Sequence, residues 1–498
     1  MNNGKICISV CAETSADLID QIRRAEPLAD VIELRFDCLH AEYLIDAPNV
    51  IRAANVSKPL IATLRSPHQG GKRDLTPGQR ADFWRCLGPA FEFVDIEEDI
   101  SPDLDDKRHI LSFHDHSGTP ADLAGVYHRL ATTAPEVVKI ATTATDITDA
   151  IPLWQVLEKA RLTGREIIPI AMGDAGKWTR ILGLAHGAFL TYASLDAGKE
   201  TADGQVTASD LIDVYRVKDL DRDTQVYGVI GDPVSASLSP YMHNAAFADV
   251  GLNAVFMPLK VKDLDAFIRR MVMSATRELE LNFAGFSVTM PHKQAIMPHL
   301  TDIDAVAAKI GAVNTVKING ERLIGYNTDA PGFIASLKGH FPDLKGARVA
   351  VLGAGGAARA VVYALQAEGA DVTIFARDPE KAGAFASEFN VGIADLATIN
   401  DQRSTIDVLV NATPFGMRGP NAEKTPLTSD ELAGVRFVYD LITRRDETPL
   451  IREARLAGIP AIGGVEMLIV QGLRQFEIWT GQDAPADIMR QAVMARLG

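Results

Sequence analysis

Short apolar, β-prone runs recur along the first two hundred residues at a nearly constant interval. They cover 5–12, 30–39, 59–66, 91–98, 109–116, 137–144, 166–173 and 188–195, and most are separated by helix-compatible stretches such as 15–26, 78–87, 122–132 and 148–162. Eight βα repeats in about 200 residues is the lower size of a closed (β/α)8 barrel. A doubly wound sheet is the competing arrangement, and the near-equal repeats favour closure. A charged stretch without apolar periodicity, 215–225, interrupts this rhythm and reads as a linker. A new β-run then starts at Val226, followed by a small-residue loop and a helix near 240–250. The segment 283–293, FAGFSVTMPHK, reads as another strand followed by a proline-bounded turn that presents Lys293.

The segment 346–377, GARVAVLGAGGAARAVVYALQAEGADVTIFAR, shows the pattern of the second half most clearly. An apolar strand stops at Gly353, Gly355 and Gly356, a helix-forming run follows, and a second apolar strand closes the unit. Strand, tight turn, helix and strand in about thirty residues is the size of a dinucleotide-binding half. Gly353, Ala354, Gly355, Gly356 and Ala357 are the candidate phosphate cradle, and Ala358 takes the close-packing place of the third glycine. The second strand ends in Arg377, where an NAD site usually carries Asp or Glu. A guanidinium there suits the 2′-phosphate of NADP. A surface arginine beside Asp378 is the alternative.

Composition adds limits. The 498 residues are 47% hydrophobic and 23% charged with a net charge of −15, which suggests a soluble chain of two to four domains. The acidic balance argues against nucleic acid or anionic membrane as partners. The N-terminal stretch lacks a basic segment followed by a long apolar one, and no transmembrane-length run occurs, so a cytoplasmic location is expected. Cys7, Cys11, Cys38 and Cys86 lack CxxC spacing and are read as reduced packing residues. The acidic run between 95 and 106 straddles a strand end and a proline-containing loop. It is read as a solvated loop, and no metal is assigned. Oligomeric state is not given by the pattern, and a monomer is compatible with it.

Barrel chemistry sits where strands end. Glu33 and Arg35 lie on the second run, Arg65 ends the third, His114 ends the fifth and Lys139 lies in VVKIATT on the sixth. A lysine among Val137, Val138 and Ile140 is expensive to bury as an ammonium, and a neutral amine can attack a carbonyl to form a Schiff base. A strand that simply exposes its lysine is the competing reading. Neighbouring strands lie about 5 Å apart, so His114 could move a proton at the carbon beside such an imine. Arg180 suits a carboxylate clamp, and 201–205, TADGQ, a lid.

The segments VIELRFD, TLRSPHQGGK, LSFHDHSGTP, VVKIATT and GDAGKWTR resemble type I 3-dehydroquinate dehydratase over residues 1–218. The resemblance implies that Lys139 forms the imine and that His114 is the general base and acid. It gives Glu33, Arg35, Arg65, Arg180, Thr201 and Gln205 to the substrate. Two positions depart from the family's usual pattern: Gln69 stands for Glu, and the lid reads Thr-Ala-Asp-Gly-Gln in place of Ser-Ala-Pro-Gly-Gln.

Downstream, GDPVSASLSPYMHN, FAGFSVTMPHK, IGAVNTV, GYNTDAPGF, VLVNATPFGM, VYDLITRRD and the stretch 458–481 resemble shikimate dehydrogenase. Taken singly, their Ser, Asn and Asp residues are ordinary caps and turn formers. The resemblance implies an open α/β substrate domain, 225–330, and a Rossmann NADP domain, 331–498, whose terminal helices cross back. Lys293 and Asp329 become the catalytic pair. Ser237 and Ser239 hold a carboxylate, Thr289, Asn314 and Gln471 meet ring hydroxyls, and Asn411, Thr413 and Met467 line the nicotinamide. Ser287 and Thr443 depart from the usual Asn and Tyr.

The expected function is therefore dehydration of 3-dehydroquinate followed by NADPH-dependent reduction of 3-dehydroshikimate to shikimate. The domain order resembles that of the fused plant enzyme, here without a transit peptide. The rivals are a non-catalytic metabolite sensor and an NAD-linked catabolic quinate or shikimate dehydrogenase. Retention of both catalytic pairs speaks against the first and Arg377 against the second.

Overall fold

The computed structural model describes residues 2–44, 46–87, 91–99, 108–399, 405–417, 419–444 and 446–497. The part of the acidic run from 100 onward lies outside the described residues. By contacts the chain divides into two compact units, residues 1–226 with 253–282, and residues 227–252 with 283–498.

In the first unit, eight parallel strands follow one another around the sheet: β1 (Ile6–Val10), β2 (Val31–Arg35), β3 (Leu60–Thr63), β4 (Phe93–Glu97), β5 (Arg108–Asp115), β6 (Val137–Thr143), β7 (Glu166–Met172) and β8 (Thr191–Ser194). A short β9 (Val206–Thr207) extends the edge beside β8. The Phe189 N–H donates to the Ile167 carbonyl at 2.8 Å, bringing the chain that enters β8 against β7. This is the barrel the repeats predict. β1, β2, β3 and β4 are buried along their whole length, as expected of parallel strands covered on both faces. Cys7, Val31, Ile61, Phe93, Ile110, Val137 and Phe189 share one apolar core cluster. Elsewhere along the strands the register sets Ser9 beside Glu33, Thr63 beside Asp95 and Ser112 beside Lys139.

The cysteine expectation needs correction. Cys11 and Cys38 form a disulfide, with Cα atoms 5.5 Å apart. One follows β1 and the other lies in the single turn after the adjacent β2, so parallel pairing brings together residues 27 positions apart. No local spacing signals such a pair. Cys7 is free and buried, and the Cys86 side chain lies outside the described part.

A six-stranded sheet follows in the order β11 (Ala254–Lys260), β10 (Gln225–Gly231), β12 (Phe283–Val288), β14 (Thr315–Asn319), β15 (Arg322–Tyr326), β13 (Asp302–Ile303). The expected boundaries, 1–218, 225–330 and 331–498, differ from the division by contacts, which groups 253–282 with the first unit. One reason is local: the Asp146 carboxylate accepts the Lys262 and Asp263 N–H groups at 2.7 and 3.2 Å.

The last sheet runs β18 (Gly392–Asp395), β17 (Asp371–Ala376), β16 (Arg348–Leu352), β19 (Val408–Asn411), β20 (Phe437–Asp440), β21 (Ala461–Ile462), with every pair parallel. Strand order reverses at β16, where open α/β sheets leave a crevice for a ligand. The helix Gly356–Ala367 leaves that strand through the glycine turn. Phe333 stacks on Tyr439 with ring centroids 5.1 Å apart.

The helix Val465–Thr480 packs on the helix Asp329–Lys338 and returns to the preceding sheet. There the Trp479 indole N–H donates to the Val316 carbonyl at 3.0 Å. Gly285 makes room for this contact, because a Cβ at that position would lie 2.6 Å from Trp479 Nε1 and 2.8 Å from the Val316 oxygen. Among the described residues no helix is long and apolar enough to cross a membrane. Gly285→Ala should destabilise the second unit by about 1–3 kcal/mol through overpacking. In urea its unfolding midpoint should fall while that of the first unit stays; an unchanged second midpoint would rule out a close-packed Trp479.

Candidate active sites

The strand ends of the barrel surround a cavity of about 470 Å³ that is partly open to solvent. Its wall includes Glu33, Arg35, Arg65, His114, Lys139 and Arg180. Thr201, Ala202 and Gln205 line it from the segment after β8. That segment is pinned by the Gly173 N–H donating to the Asp203 carbonyl at 3.0 Å. Gly204 has φ +73°, and a Cβ there would lie 2.3 Å from the Gly173 oxygen, so the close approach requires glycine.

Lys139 is buried, but its surroundings are not the apolar ones that its flanking residues suggest. Its Nζ lies 2.8 Å from Asp95 Oδ2, 3.5 Å from Glu33 Oε1 and 4.2 Å from the Tyr192 ring centre. Val138 and Ile140, its immediate neighbours in sequence, face away, because successive strand residues alternate, and of the flanking apolar residues Val137 shares its face. Glu33 is fixed by donors on both sides: Ser9 bonds one oxygen, and the Thr63 hydroxyl donates to the other at 2.9 Å. Arg65 bridges Asp95 at 2.8 Å and Glu97 at 3.3 Å, and Arg80 meets Glu97 at 2.6 Å. Burial pushes the Asp95 carboxyl up, but Arg65 and then Lys139 outweigh it and hold the pKa at about 2. The acidic run is therefore not only a solvated loop. Its first members, Asp95 and Glu97, are almost wholly buried counter-charges of the site.

His114 accompanies Lys139 from the neighbouring strand. The Gln69 side-chain oxygen accepts the His114 backbone N–H at 3.1 Å and lies 3.0 Å from Nδ1. An amide oxygen can only accept, so Nδ1 carries the hydrogen and Nε2 is left as the basic nitrogen. Burial, then the charges of Arg65, Lys139 and Arg35, push the imidazole well below its ordinary pKa. Arg35 is held by paired bonds of 2.8 Å to Asp37. Arg180 is different: it is 1% exposed, and none of its three guanidinium nitrogens has a hydrogen-bond partner among the described residues. Burial lowers its pKa to about 10. A buried cation without a counter-charge is costly, so the cavity is built to receive an anion.

In the second unit, Lys293 Nζ lies 2.5 Å from Asp329 Oδ2. Asn314 donates to Asp329 Oδ1 at 2.7 Å and to Thr328 at 2.9 Å, and reaches Gln471 at 3.4 Å. Gln475 ties this group to the sheet, donating to Ser287 and Thr315, both at 3.0 Å. The Ser237 hydroxyl accepts the Ser239 N–H at 3.2 Å. A Cβ on Gly231 would lie 2.4 Å from the Thr289 methyl, which places Thr289 against the end of β10.

The nucleotide turn meets this group directly. A Cβ on Gly356 would lie 3.1 Å from Lys293 Cβ, so the helix start abuts the lysine. Gly353 has φ +102°, which favours glycine, and Gly355 faces open space. Among the described residues no side chain caps the helix at Gly355, and bare first N–H groups of a helix suit a phosphate. Arg377 is exposed at the end of β17, its guanidinium 5.6 Å from the Phe415 ring centre. These features fit a dinucleotide carrying an extra phosphate. Asn411 is fully buried, donating to Asp440 at 2.9 Å and accepting from the Thr413 hydroxyl at 2.6 Å. It shapes the turn that presents Thr413, while Met467 lies at the start of the returning helix.

Sequence reading missed Asp95, Glu97, Arg80, Tyr192 and Gln475. The alternation in β4, FVDIE, is the one local signal that could have found the first two, since it sets both carboxylates on one face. The other three come close only through the tertiary fold.

Comparison with known proteins agrees with this geometry. The type I 3-dehydroquinase family matches residues 6–222. The shikimate dehydrogenase substrate binding domain matches 229–316, the shikimate/quinate 5-dehydrogenase family 335–430, and the shikimate 5′-dehydrogenase C-terminal domain 464–494. The chain is 34% identical to the chloroplastic bifunctional 3-dehydroquinate dehydratase/shikimate dehydrogenase of Arabidopsis thaliana, over 98% of this chain and 84% of that one. It is 40% identical to the NADP+ shikimate dehydrogenase of Methanopyrus kandleri, over 56% of this chain and 98% of that one. A crystal structure of shikimate dehydrogenase in complex with NADP+ is 37% identical, with a TM-score of 0.51, covering 56% of this chain and 98% of that one. Two sites of distinct chemistry and a relative spanning almost the whole chain lead to one conclusion: the chain belongs to the bifunctional 3-dehydroquinate dehydratase/shikimate dehydrogenase family.

Proposed function

We propose that residues 1–218 dehydrate 3-dehydroquinate to 3-dehydroshikimate, and that residues 225–330 and 331–498, as substrate and NADP domains, reduce that product to shikimate with NADPH. The observation that supports this most directly is the pair of lysine sites in one chain. One lies beside His114 and the unpaired Arg180; the other abuts a glycine turn.

In the first site the Lys139 ammonium first loses a proton to solvent, the freed amine adds to the substrate ketone, and the ketone oxygen leaves as water to give an imine. His114 Nε2 takes a proton from the adjacent carbon. The electrons move toward the imine nitrogen, then return to expel the β-hydroxyl, which leaves as water with the proton from His114. Hydrolysis frees the amine. Arg180 holds the carboxylate, and Glu33, Arg35, Arg65, Thr201 and Gln205 orient the ring.

In the second site bound NADPH supplies the hydride. Lys293, steadied by Asp329, donates a proton to the developing alkoxide, a role typically worth ~10² to 10⁴-fold. Ser237 and Ser239 take the carboxylate, and Thr289, Asn314 and Gln471 take the ring hydroxyls. Gly353, Ala354, Gly355, Gly356 and Ala357 cradle the pyrophosphate, Arg377 grips the 2′-phosphate, and Asn411, Thr413 and Met467 form the nicotinamide side. A monomer is compatible with this reading. The location in this reading is cytoplasmic, a compartment in which the Cys11–Cys38 bond is atypical.

A coupled assay with 3-dehydroquinate and NADPH tests both halves. Cofactor oxidation should occur in wild type and disappear in Lys139→Ala, while reduction of added 3-dehydroshikimate persists. Borohydride with 3-dehydroquinate should trap an adduct on Lys139; full dehydratase activity in Lys139→Ala would refute the imine.

For the cofactor, Arg377→Ala should weaken NADP(H) by about 10- to 100-fold, the scale of a charge-assisted contact, with little change for NAD(H). An unaltered preference would remove this role from Arg377.

The pH profile tests His114. Its folded pKa lies below about 6.5 and its neutral form is the base, so dehydratase kcat/KM should hold through pH 6.5 and fall only at lower pH. Gln69→Glu sets a carboxylate beside Nδ1, stabilises the imidazolium and should move this acid limb upward. An unmoved limb would exclude Gln69 as the tuning group.

A further inference from the structure

Tyr192 on β8 is 2% exposed and lines the barrel cavity. Its ring lies under the Lys139 ammonium, 4.2 Å from Nζ to the ring centre, which accounts for an aromatic side chain at this place. That contact does not account for the hydroxyl. The phenol oxygen is buried and, among the described residues, has no hydrogen-bond partner. A phenylalanine would supply the same ring without leaving a buried polar group unsatisfied. The hydroxyl is therefore matched to something that enters the cavity.

The position points to what enters. Arg180, on the same cavity wall, is the other buried group there with unmatched donors. The two are tied through the backbone: Thr191, next to Tyr192, donates from its hydroxyl to the Arg180 carbonyl at 2.8 Å. We propose that the Tyr192 hydroxyl donates a hydrogen bond to the carboxylate of the dehydratase substrate, acting with Arg180 as a two-residue carboxylate site. Burial, with Glu33, raises the phenol pKa, so the group stays a protonated donor across the working pH range. Tyr192 thus has two roles, its ring supporting Lys139 and its hydroxyl selecting a carboxylate-bearing substrate. A site whose buried donor is left unpaired discriminates against ligands lacking the matching oxygen. This proposal rests on the dehydratase reading above.

Tyr192→Phe in the full chain keeps the ring and removes only the hydroxyl. It should raise the dehydratase KM for 3-dehydroquinate roughly 10-fold, with kcat within about twofold, the split expected for loss of a binding contact. In an Arg180→Met background the same substitution should lower kcat/KM less than about threefold, because both residues would act on one carboxylate. Unchanged KM in Tyr192→Phe, a fall in kcat at unchanged KM, or a full tenfold loss in the Arg180→Met background would each overturn the proposal. Should Tyr192→Phe trap no borohydride adduct at any substrate concentration, titration of 3-dehydroshikimate decides. About tenfold weaker binding than wild type supports the contact, and equal affinity overturns it. Wild type that traps no adduct would count instead against the imine reading.

Discussion

The first candidate site depends on a run of buried charges that starts on the barrel strands and ends on the helix Pro77–Cys86: Lys139 to Asp95, Asp95 to Arg65, Arg65 to Glu97 and Glu97 to Arg80. Each group alone would be expensive to hold away from water, and each is stabilised by the next. Parallel register makes this possible by setting β3, β4, β5 and β6 side by side with their inward positions in line. The chain holds Lys139 against carboxylates and an aromatic ring, and leaves the Arg180 guanidinium on the cavity wall without a hydrogen-bond partner among the described residues. The contrast between paired Arg65 and unpaired Arg180 separates architecture from recognition.

The second site solves a related problem with fewer charges. Lys293 is paired with Asp329, and Asp329 is itself held by Asn314, so a single ion pair sits inside a network of neutral amides and hydroxyls. Gln475, from the returning helix, closes that network against Ser287 and Thr315. The polar network and the packing of the last helix are thus one structure, and Trp479 one turn further on anchors it. The glycine turn needs to be bare where it meets Lys293, because a side chain on Gly356 would press on the lysine stem.

The chemistry proposed for the two lysines differs for reasons visible in their neighbours. Lys139 lies beside a histidine made weakly basic by burial and surrounding cations, with a neutral amide fixing its tautomer. That arrangement suits proton removal from carbon. Lys293 lies beside a carboxylate and next to an uncapped helix start, which suits proton delivery to an oxygen reduced by a dinucleotide.

Much of this was legible in residue order. Eight evenly spaced apolar runs imply a barrel because each run must be buried on both faces, and the glycine turn between two strands implies a dinucleotide cradle because only a bare backbone approaches a pyrophosphate so closely. Lys139 and His114 stood out as chemically reactive types on the barrel strands, and Lys293 and Asp329 through the resemblance of the segments that carry them. The tertiary structure alone decided which groups surround them. Asp95 and Glu97 looked like part of a solvated acidic run until β4 turned them inward, and Cys11 met Cys38 only because β1 and β2 are neighbours. Tyr192 carried no signal until its ring lay under Lys139 with its hydroxyl unmatched. Local sequence sets the period and the turn, which are properties of a few consecutive residues. Which distant side chains share a dry cavity depends on strand register and closure, which no short stretch contains.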